Sequence, residues 1–515
     1  MSRTGTLLNT SLASLLATAT ASLPALAQTD TVTQQPAMKM TTPIPAAITT
    51  PDSVQTSIGT LKFFDGIPDR ASVDAVYDYM DRARAVQAYV LGLPLVSMQS
   101  LKTGGEAIGS TTPGRFLIAS TMLDSRPLVL TANTTTLYTW SFLDLVRDGP
   151  TVIELPKGML GALDDMAFRY LADLGVAGQD KGQGGKYLVL PPDYEGDVPD
   201  GYFVVKSPTS GVWVFMRGFV KDGIEAAVSN IESTLNAYPL AQADAPPKAE
   251  FINFGGRAGY HSIPPNDFSF FERLDAVVQA EPAGFIPPRT RGAFAAIGIE
   301  KGKPFMPDER MRGLLIDAVA IGNAYARANT VFPRDPRQRI YDEHSEWVMA
   351  YAGKDTSFGA QSATNDDASL WFYYNAVVVT PAMAVTRPGI GSDYGIVGMA
   401  KGAQVLDGAK TYRLSIPANP PAKDFWAVTV YDTQTRSQLQ TDQPFPTLGS
   451  QTKGIEAGPD GSVDLYFSPK PPQGKEGNWL QTIPGKSWFA ILRMYGPEQA
   501  WIDKTWRPSE IELVE

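Results

Sequence analysis

The chain of 515 residues contains no cysteine and only two histidines, His261 and His344. The lack of cysteine excludes disulfides, thiolate nucleophiles and thiolate-bound zinc or iron–sulfur clusters, so the fold is indifferent to the redox state of its compartment. With so little histidine, a metal ion would need carboxylate ligands, which favours calcium, magnesium or manganese. Neither 365–367 nor 460–461 has the alternating acidic ligands of a calcium loop. We therefore predict a fold that uses no metal and no cofactor.

Long apolar runs are also missing. Beyond the first 27 residues, no segment approaches 18 uninterrupted apolar residues, so the sequence predicts no transmembrane segment. Positive charge is in deficit as well, because 44 basic residues face 54 acidic ones and the net charge is -10. That balance disfavours binding to nucleic acid or to anionic membranes, and we expect neither partner.

The N-terminus has the pattern of a secretory signal peptide, residues 1–27. Arg3 precedes a small and apolar run from Leu7 to Ala21, and Ala25–Ala27 fits the small-x-small cleavage rule. The run is too short and too rich in Ser and Thr to span a bilayer. We expect a periplasmic or secreted protein that begins at Gln28 and continues with a flexible leader, residues 28–58, rich in Thr, Gln, Pro and Ala.

The rest of the chain predicts an α+β, β-rich fold in three parts. Short β-prone runs separated by Pro, Gly or Asp predict an N-terminal antiparallel β domain at 59–220. Periodic apolar positions predict a central helical region at 221–399. After residue 400 the alternation of apolar and polar residues returns, and we expect a C-terminal β-sandwich of the jelly-roll type at 400–515.

Several local predictions can be compared with the structure. A helix is expected over 72–91, ended by Gly92 and Pro94, and a short strand over 128–131. The apolar run 369–382 is compatible with either a buried strand or a buried helix. Residues 412–440 predict two strands joined by a proline-rich turn, followed by a polar segment at the end of the second strand.

Particular segments resemble a known tandem family. They are AYVLGLPLV at 88–96, NTTTLYTWSFLDL at 133–145, and, nearer the C-terminus, FWAVTVYDTQTR, GSVDLYF, NWLQT, ILRMYGP and WIDKTWRP. In this order they are similar to bacterial proteins that pair domain-of-unknown-function family 1254 with family 1214. The resemblance runs from about residue 60 to the C-terminus, and it implies a β-rich N-terminal domain, a helical linker and a C-terminal sandwich, often exported. It implies no established reaction.

One position departs from the family pattern. Relatives commonly have Asn-Asn-Asp-Thr before Leu-Tyr, whereas this chain has Asn133, Thr134, Thr135 and Thr136 before Leu137. If the aspartate performs carboxylate chemistry in relatives, Thr135 cannot replace it.

The polar strand end supplies the first candidates for a site. Asp432 and Arg436 lie four residues apart there, where a carboxylate and a guanidinium could bind an anionic or hydroxylated ligand. A structural ion pair that fixes the loop is the alternative. His261 is a candidate general base with Asp267 nearby, and a loop histidine bonded to backbone is its alternative.

Aromatic residues supply candidates for ligand binding. Tyr373, Trp426 and Tyr138 could stack on a sugar or an aromatic ligand, with Arg169 as a polar contact. Burial in the core is the more common fate of such rings.

Two functions are compatible with these observations. In the first, an exported protein binds a small polar or aromatic molecule, such as a carbohydrate, in a cleft between domains and transforms it by hydrolysis. In the second, a non-catalytic envelope or assembly protein uses its sandwiches for homo-oligomer contacts. No Gly-x-Ser-x-Gly nucleophile motif is present in the sequence, which disfavours an α/β-hydrolase.

The absence of cysteine and the scarcity of histidine lead to a first test, of the prediction that the fold uses no metal. Elemental analysis of protein purified without chelator should find less than one metal ion per chain, and EDTA should leave the melting temperature unchanged. One tightly held ion whose removal lowers the melting temperature by several degrees would contradict the prediction.

Overall fold

A computed structural model describes residues 42–360 and 363–514, and the predicted signal peptide lies outside these residues. The chain divides after Met80. The part before that point contains a three-stranded antiparallel sheet, whose strands are β1 (Ser53–Thr56), β2 (Gly59–Phe64) and β3 (Ile67–Pro68). Strand β1 lies within the segment expected to be a flexible leader, so regular structure begins before Gly59.

The first helix, α1 (Arg70–Glu106), is longer than the sequence predicts. The expectation that Gly92 and Pro94 end it is wrong, because both lie inside it. Proline in a helix interior costs about 3 kcal/mol. Leu93, Leu95 and Val96 are almost fully buried, and burial of each such side chain contributes about 1.5–3 kcal/mol, which offsets that cost.

Ten strands follow α1 and form two sheets. They are β4 (Arg115–Ile118), β5 (Leu137–Asp144), β6 (Thr151–Leu155), β7 (Leu160–Asp165), β8 (Tyr170–Gly175), β9 (Gly185–Leu190), β10 (Phe203–Lys206), β11 (Gly211–Gly218), β12 (Asn236–Pro239) and β13 (Glu250–Asn253). The six-stranded sheet has the order β13-β4-β5-β11-β7-β8, and the four-stranded sheet has the order β10-β9-β6-β12. Most neighbours are antiparallel, but β13 pairs with β4, and β10 with β9, in parallel.

The strand expected over 128–131 does not form. Leu128 makes only an isolated bridge to His261. Thr131 has a φ of 43°, in the left-handed region that a β-branched residue rarely adopts, which breaks a regular strand.

The helices after α1 are α2 (Leu145–Asp148), α3 (Ile224–Thr234), α4 (Ser269–Ala280), α5 (Pro288–Ala295), α6 (Glu309–Val331), α7 (Asp366–Asn375), α8 (Pro381–Ala384) and α9 (Gln499–Ile502). Helix α1 and helices α4 to α8 share an apolar core with one face of the six-stranded sheet. Helices α2 and α3 contribute to the core between the first two sheets, and α9 contributes to the core of the C-terminal strands. The run 369–382 is therefore helical at its start. The Asn365 side chain caps α7 by accepting from the backbone amides of Asp367 and Ala368. No helix in the described part of the chain is long and apolar enough to cross a membrane.

The second β-rich part is a sandwich with two further short hairpins. Its strands are β14 (Trp347–Val348), β15 (Gly359–Ala360), β16 (Ala363–Thr364), β17 (Ser392–Val397), β18 (Met399–Ala400), β19 (Gln404–Val405), β20 (Tyr412–Ile416), β21 (Ala422–Asp432), β22 (Thr447–Gly449), β23 (Val463–Ser468), β24 (Trp479–Gln481), β25 (Trp488–Pro497) and β26 (Glu512–Leu513). A five-stranded sheet, β14-β17-β25-β21-β22, packs on a four-stranded sheet, β24-β23-β20-β26, around one apolar core. The predicted strands at 412–440 form, but β20 and β21 lie in different sheets. The α+β, β-rich class is confirmed.

Side-chain alternation gives the central strands two buried faces. In β11, Val212, Val214 and Met216 join the core between the first two sheets, while Trp213 and Phe215 face the helical side. A strand buried on both faces leaves no exposed position for a charged residue.

The crossing of α6 over α1 supplies a test. Gly322 in α6 is buried, and an added Cβ would overlap the ring of Tyr89 in α1. We expect Gly322→Ala to lower the free energy of unfolding by about 1–3 kcal/mol, because overpacking forces neighbours to shift. Gly313 lies in the same helix and has open space around its Cα. Gly313→Ala should stabilise by about 0.5–1 kcal/mol, and equal effects of the two changes in urea denaturation would contradict this packing argument.

Candidate functional site

A cavity lies between the six-stranded sheet of the first β-rich part and the five-stranded sheet of the second. We call it the arginine cavity, after Arg217 and Arg493 in its lining. About 50 Å³ of it is open to the centres of water-sized molecules. Its other lining residues are mostly apolar and aromatic, and include Leu101, Val129, Leu130, Thr131, Ala132, Tyr138, Trp140, Trp213, Phe215, Ala350, Tyr351, Phe372, Ala376, Val377, Val378, Met383, Tyr394, Ile396 and Ile491.

Strand alternation places these side chains. Arg217 follows Trp213 and Phe215 at two-residue spacing on β11, so the three share one face. Arg493 follows Ile491 in the same way on β25, while Leu492 and Met494 point into the core of the sandwich. The two arginines thus approach the cavity from opposite sheets.

Arg217 is 7% exposed and has weak polar contacts. One Nη lies 3.5 Å from the Tyr394 hydroxyl and the other lies 3.7 Å from the Met383 sulfur. Its Nε is buried without a hydrogen-bond partner. The guanidinium lies 5.3 and 5.6 Å from the ring centres of Phe215 and Tyr138, within range of cation–π attraction. Most of its donor capacity is unused.

Arg493 is 3% exposed and better satisfied. Its Nη2 donates to the Thr131 carbonyl at 2.6 Å and its Nη1 to the Thr429 hydroxyl at 3.3 Å. Its guanidinium lies 5.8 Å from the ring of Tyr394, the residue whose hydroxyl accepts from Arg217. Tyr394 therefore contacts both cations.

No anion in the described part of the chain balances these two charges. Neither arginine forms an ion pair with a described carboxylate. Burial raises the pKa of Tyr431, beside Arg493, to about 12, and it also raises the pKa of Tyr495, so both phenols are neutral at physiological pH. A buried charge without a partner costs several kcal/mol even after the surroundings relax. Among the described residues, the polar partners of the two guanidinium groups are neutral hydroxyl and carbonyl oxygens and a methionine sulfur.

A strained segment forms another wall of the cavity. Val378 has a φ of 73°, which is rare for a β-branched residue, and neighbouring groups hold it there. Its carbonyl accepts from the Tyr351 hydroxyl at 2.6 Å, and the next amide, of Val379, donates to Asp164 Oδ2 at 2.9 Å. The Thr380 hydroxyl donates to Asp173. Side chains of the first β-rich part thus fix the shape of this wall.

The predicted pair at the strand end is linked through the backbone. The Arg436 amide donates to the Asp432 carbonyl at 2.8 Å, but the Asp432 carboxylate pairs with Lys486 Nζ at 2.6 Å. The Arg436 guanidinium lies over the Tyr374 ring, 4.0 Å from its centre, and donates to the Tyr374 and Gln434 carbonyls. The two side chains do not pair with each other.

Arg436 lines a second cavity, here called the Arg436 cavity, with about 100 Å³ open to water-sized molecules. Thr131, Ala376 and Ile396 line both cavities, so the two adjoin. Of the residues predicted to form a site, Tyr138 lines the first cavity and Arg436 lines the second.

The other predicted site residues lie elsewhere and have local contacts. His261 is exposed, and its backbone bridges to Leu128. The Tyr373 hydroxyl donates to the Phe168 carbonyl at 3.0 Å. Trp426 packs in the core of the sandwich, and Arg169 pairs with Asp165 at 2.6 Å. Neither cavity lining includes His261, Asp432, Tyr373, Trp426 or Arg169.

The segment that departs from the family pattern lies next to the arginine cavity. Asn133 Oδ1 accepts from the amides of Thr135 and Thr136, both at 2.9 Å, and its amide nitrogen donates to the Tyr138 hydroxyl at 2.8 Å. The Thr135 hydroxyl lies 2.8 Å from the Tyr495 hydroxyl. Asn133 thus positions Tyr138, and the hydroxyl of Thr135 stands where the family pattern has a carboxylate.

Sequence reasoning missed Arg217 and Arg493. Each lies in a strand whose residues are all buried, GVWVFMRG at 211–218 and WFAILRMYGP at 488–497. An arginine within such a run is the signal that could have identified them, because a buried arginine needs a partner. Among the described residues, no group of three or more His, Asp or Glu is arranged to hold a metal ion.

Two solved structures are similar to this chain to different degrees. The VPA0106 protein from Vibrio parahaemolyticus is 19% identical, with a TM-score of 0.52, and the match covers 84% of this chain and 100% of that one. An uncharacterized protein from Burkholderia cenocepacia is 12% identical, with a TM-score of 0.39, over 85% of this chain and 96% of that one. The first likeness shows a shared fold. A search of curated proteins gave no match.

The family comparison places two domains on the chain. The family described as protein of unknown function DUF1254 matches residues 113–239. The family described as protein of unknown function DUF1214 matches residues 395–499. The chain therefore carries DUF1254 and DUF1214 in tandem, which confirms the resemblance. Each domain contributes two of the four strands that line the arginine cavity: β5 and β11 from the first, β17 and β25 from the second.

The Asp164 carboxyl, which accepts from the Val379 amide, allows a test of how stability changes with pH. Burial raises the pKa of Asp164 well above its usual range, and the charges of Asp165 and Asp173 raise it further. The folded state therefore binds this proton more tightly than the unfolded state. The stability that Asp164 contributes is present below the unfolded pKa of about 3.9 and is lost as pH rises toward the folded pKa, at about 1.4 kcal/mol for each pH unit between the two.

We expect Asp164→Asn to gain stability relative to the native chain as pH rises from 4 to 8 in urea denaturation. Asp335 supplies a control of opposite sign, because hydrogen bonds from Arg337 lower the pKa of Asp335. The native chain should gain stability relative to Asp335→Asn as pH rises from about 2 to 4, and this gain is nearly complete above the unfolded pKa of about 3.9. A stability difference for Asp164→Asn that does not change with pH would contradict the buried neutral carboxyl.

Proposed function

We propose that this protein binds a small organic carboxylate in the arginine cavity, with the carboxylate against Arg217 and Arg493 and its apolar part against the aromatic walls. The observation that carries the proposal is a pair of buried guanidinium groups without an anionic partner in the described chain. Arginine presents a planar fork of donors that matches a carboxylate, and the unused Nε of Arg217 is available for such a bond.

The lining supports a ligand with an apolar body. Apart from the arginines, it consists mainly of aliphatic and aromatic side chains such as Val129, Trp140, Phe215 and Ile491. Binding sites for small molecules commonly combine such walls with a few polar groups that fix orientation. A sugar that entered this cavity would lose water from its hydroxyls, and the apolar walls would offer few hydrogen bonds in exchange. We therefore favour a carboxylate over a carbohydrate.

The size of the cavity limits the ligand. A volume of about 50 Å³ open to water centres accommodates roughly three to five waters, since one water needs about 10–15 Å³. A short aliphatic carboxylate such as acetate or propionate has about that number of heavy atoms. The proposal covers binding, and a hydrolytic step would need a nucleophile or an activated water beside the bound ligand.

Thermal shift assays with a series from acetate to hexanoate test the proposal. The melting temperature of the native protein should rise with ligand concentration, because a ligand that binds the folded state stabilises it by about 2.7 kcal/mol at one hundred times its Kd. The effect should peak at the chain length that fills the cavity. Arg217→Met should abolish the shift.

The unliganded Arg217→Met variant separates a ligand site from a structural arginine. Replacing an unpaired buried charge by an apolar side chain of similar length is often neutral or stabilising. Arg273→Met is the matched control, because Arg273 is half-buried and donates to the Ser100 hydroxyl at 2.7 Å, outside the cavity lining. It should keep the full ligand shift. Equal shifts in the native and Arg217→Met proteins would overturn the proposal.

A further inference from the structure

The Arg436 cavity has its own unused cationic donor. Arg436 is 2% exposed, and its Nη2 is buried without a hydrogen-bond partner. Its Nε donates to the Tyr374 carbonyl at 3.2 Å and its Nη1 to the Gln434 carbonyl at 2.6 Å, so the guanidinium is held in place from one side. Its backbone φ of 58° is in the left-handed region, where an arginine stays only when its surroundings fix it.

A second arginine approaches the same place. Arg327 donates to the Thr433 carbonyl at 2.9 Å and to the Gln434 carbonyl at 3.1 Å. Its guanidinium lies 5.9 Å from the Tyr374 ring, on which Arg436 also lies. Burial lowers the pKa of Arg436, and the positive charge of Arg327 lowers it further. An anion between Arg327 and Arg436 would stabilise the charged form of Arg436 and reduce the repulsion between the two guanidinium groups.

Aromatic and aliphatic side chains form much of the remaining lining, together with the polar residues Thr330, Asn375 and Thr433. Trp371, Tyr374 and Phe489 line the cavity together with Val348 and Ile396. The acidic residue in the lining, Glu346, has its carboxylate engaged by the Ala403 amide at 2.8 Å. With two arginines and one glutamate, the lining has a net positive charge.

We propose that the Arg436 cavity is a second binding site, for a planar aromatic carboxylate whose carboxylate contacts Arg436 Nη2 and whose ring lies among Trp371, Tyr374 and Phe489. Aromatic walls favour a planar ring, and the open volume of about 100 Å³ is twice that of the arginine cavity. This site differs from the one in the proposed function in its arginines, its size and its ligand shape.

Benzoate is the probe, and its binding can be followed by tryptophan fluorescence and by calorimetry. Arg436→Met should weaken benzoate binding about tenfold or more, because it removes a charge-assisted hydrogen bond from a buried site. Gly398 offers a variant that leaves the charges intact: it lines the cavity, and an added Cβ would only touch Phe489 at 3.9 Å. Gly398→Leu should fill the space and weaken binding to a similar degree.

Arg217→Met is the control, since Arg217 lines the other cavity. Retained benzoate affinity in this variant, with loss in Gly398→Leu, would support two separate sites. Loss in Arg217→Met with full affinity in Gly398→Leu would place benzoate in the arginine cavity and overturn the second site, while leaving the proposed function intact. Absence of benzoate binding to the native protein would also overturn it. If Arg436→Met fails to fold, Gly398→Leu decides the outcome.

Discussion

Two guanidinium groups lie buried between two sheets without an anionic partner in the described chain, and much of the surrounding structure can be understood from that constraint. Tyr394 contacts both of them, and the Thr131 carbonyl and Thr429 hydroxyl satisfy part of Arg493. Aromatic rings surround Arg217 without neutralising it. Folding alone gives no reason to keep two such charges, because apolar residues of similar size would serve at lower desolvation cost. The proposed carboxylate ligand would supply that reason, because it would bind the folded state and neutralise the buried charge.

The two β-rich parts contribute jointly to the arginine cavity. Tyr138 and Arg217 come from the first β-rich part, and Tyr394 and Arg493 come from the second. Neither part alone encloses the cavity. The Tyr431 hydroxyl donates to the Ala132 carbonyl at 2.6 Å, so direct hydrogen bonds between the two parts define the cavity's edge. Individual side chains therefore join the DUF1254 and DUF1214 parts at this cavity.

The sequence predicts the class of fold and the order of its parts, because hydrophobic periodicity is a local property. It fails where tertiary contacts outweigh local preference. Burial of Leu93, Leu95 and Val96 carries α1 through Pro94, and no local rule states how much apolar surface a distant helix will cover. The predicted domain boundaries stay predictions; the family matches at 113–239 and 395–499 overlap the two predicted β-rich parts without coinciding with their limits.

The candidate site is harder to predict, for a related reason. Polar residues after a strand point to Asp432 and Arg436, and Arg436 does line a cavity, but the partner of Asp432 is Lys486 from a distant turn. Arg217 and Arg493 are each one charge in an apolar strand, which indicates a buried arginine but not what lies opposite it. What makes them a pair is the contact between two sheets, and no spacing along the chain encodes that contact.

Thr131 connects the two cavities through its backbone and side chain. Its amide donates to the Arg436 carbonyl at 2.8 Å, its carbonyl accepts from Arg493 at 2.6 Å, and its hydroxyl donates to the Asn375 carbonyl at 2.9 Å. Thr131 has a φ of 43°, in the left-handed region, and directs these three groups to different partners. That conformation costs about 1–3 kcal/mol, which the three hydrogen bonds offset. Because Thr131 lines both cavities, the backbone conformation that directs its carbonyl to Arg493 also directs its amide to the Arg436 carbonyl. One strained residue therefore contributes to the walls of both cavities at once.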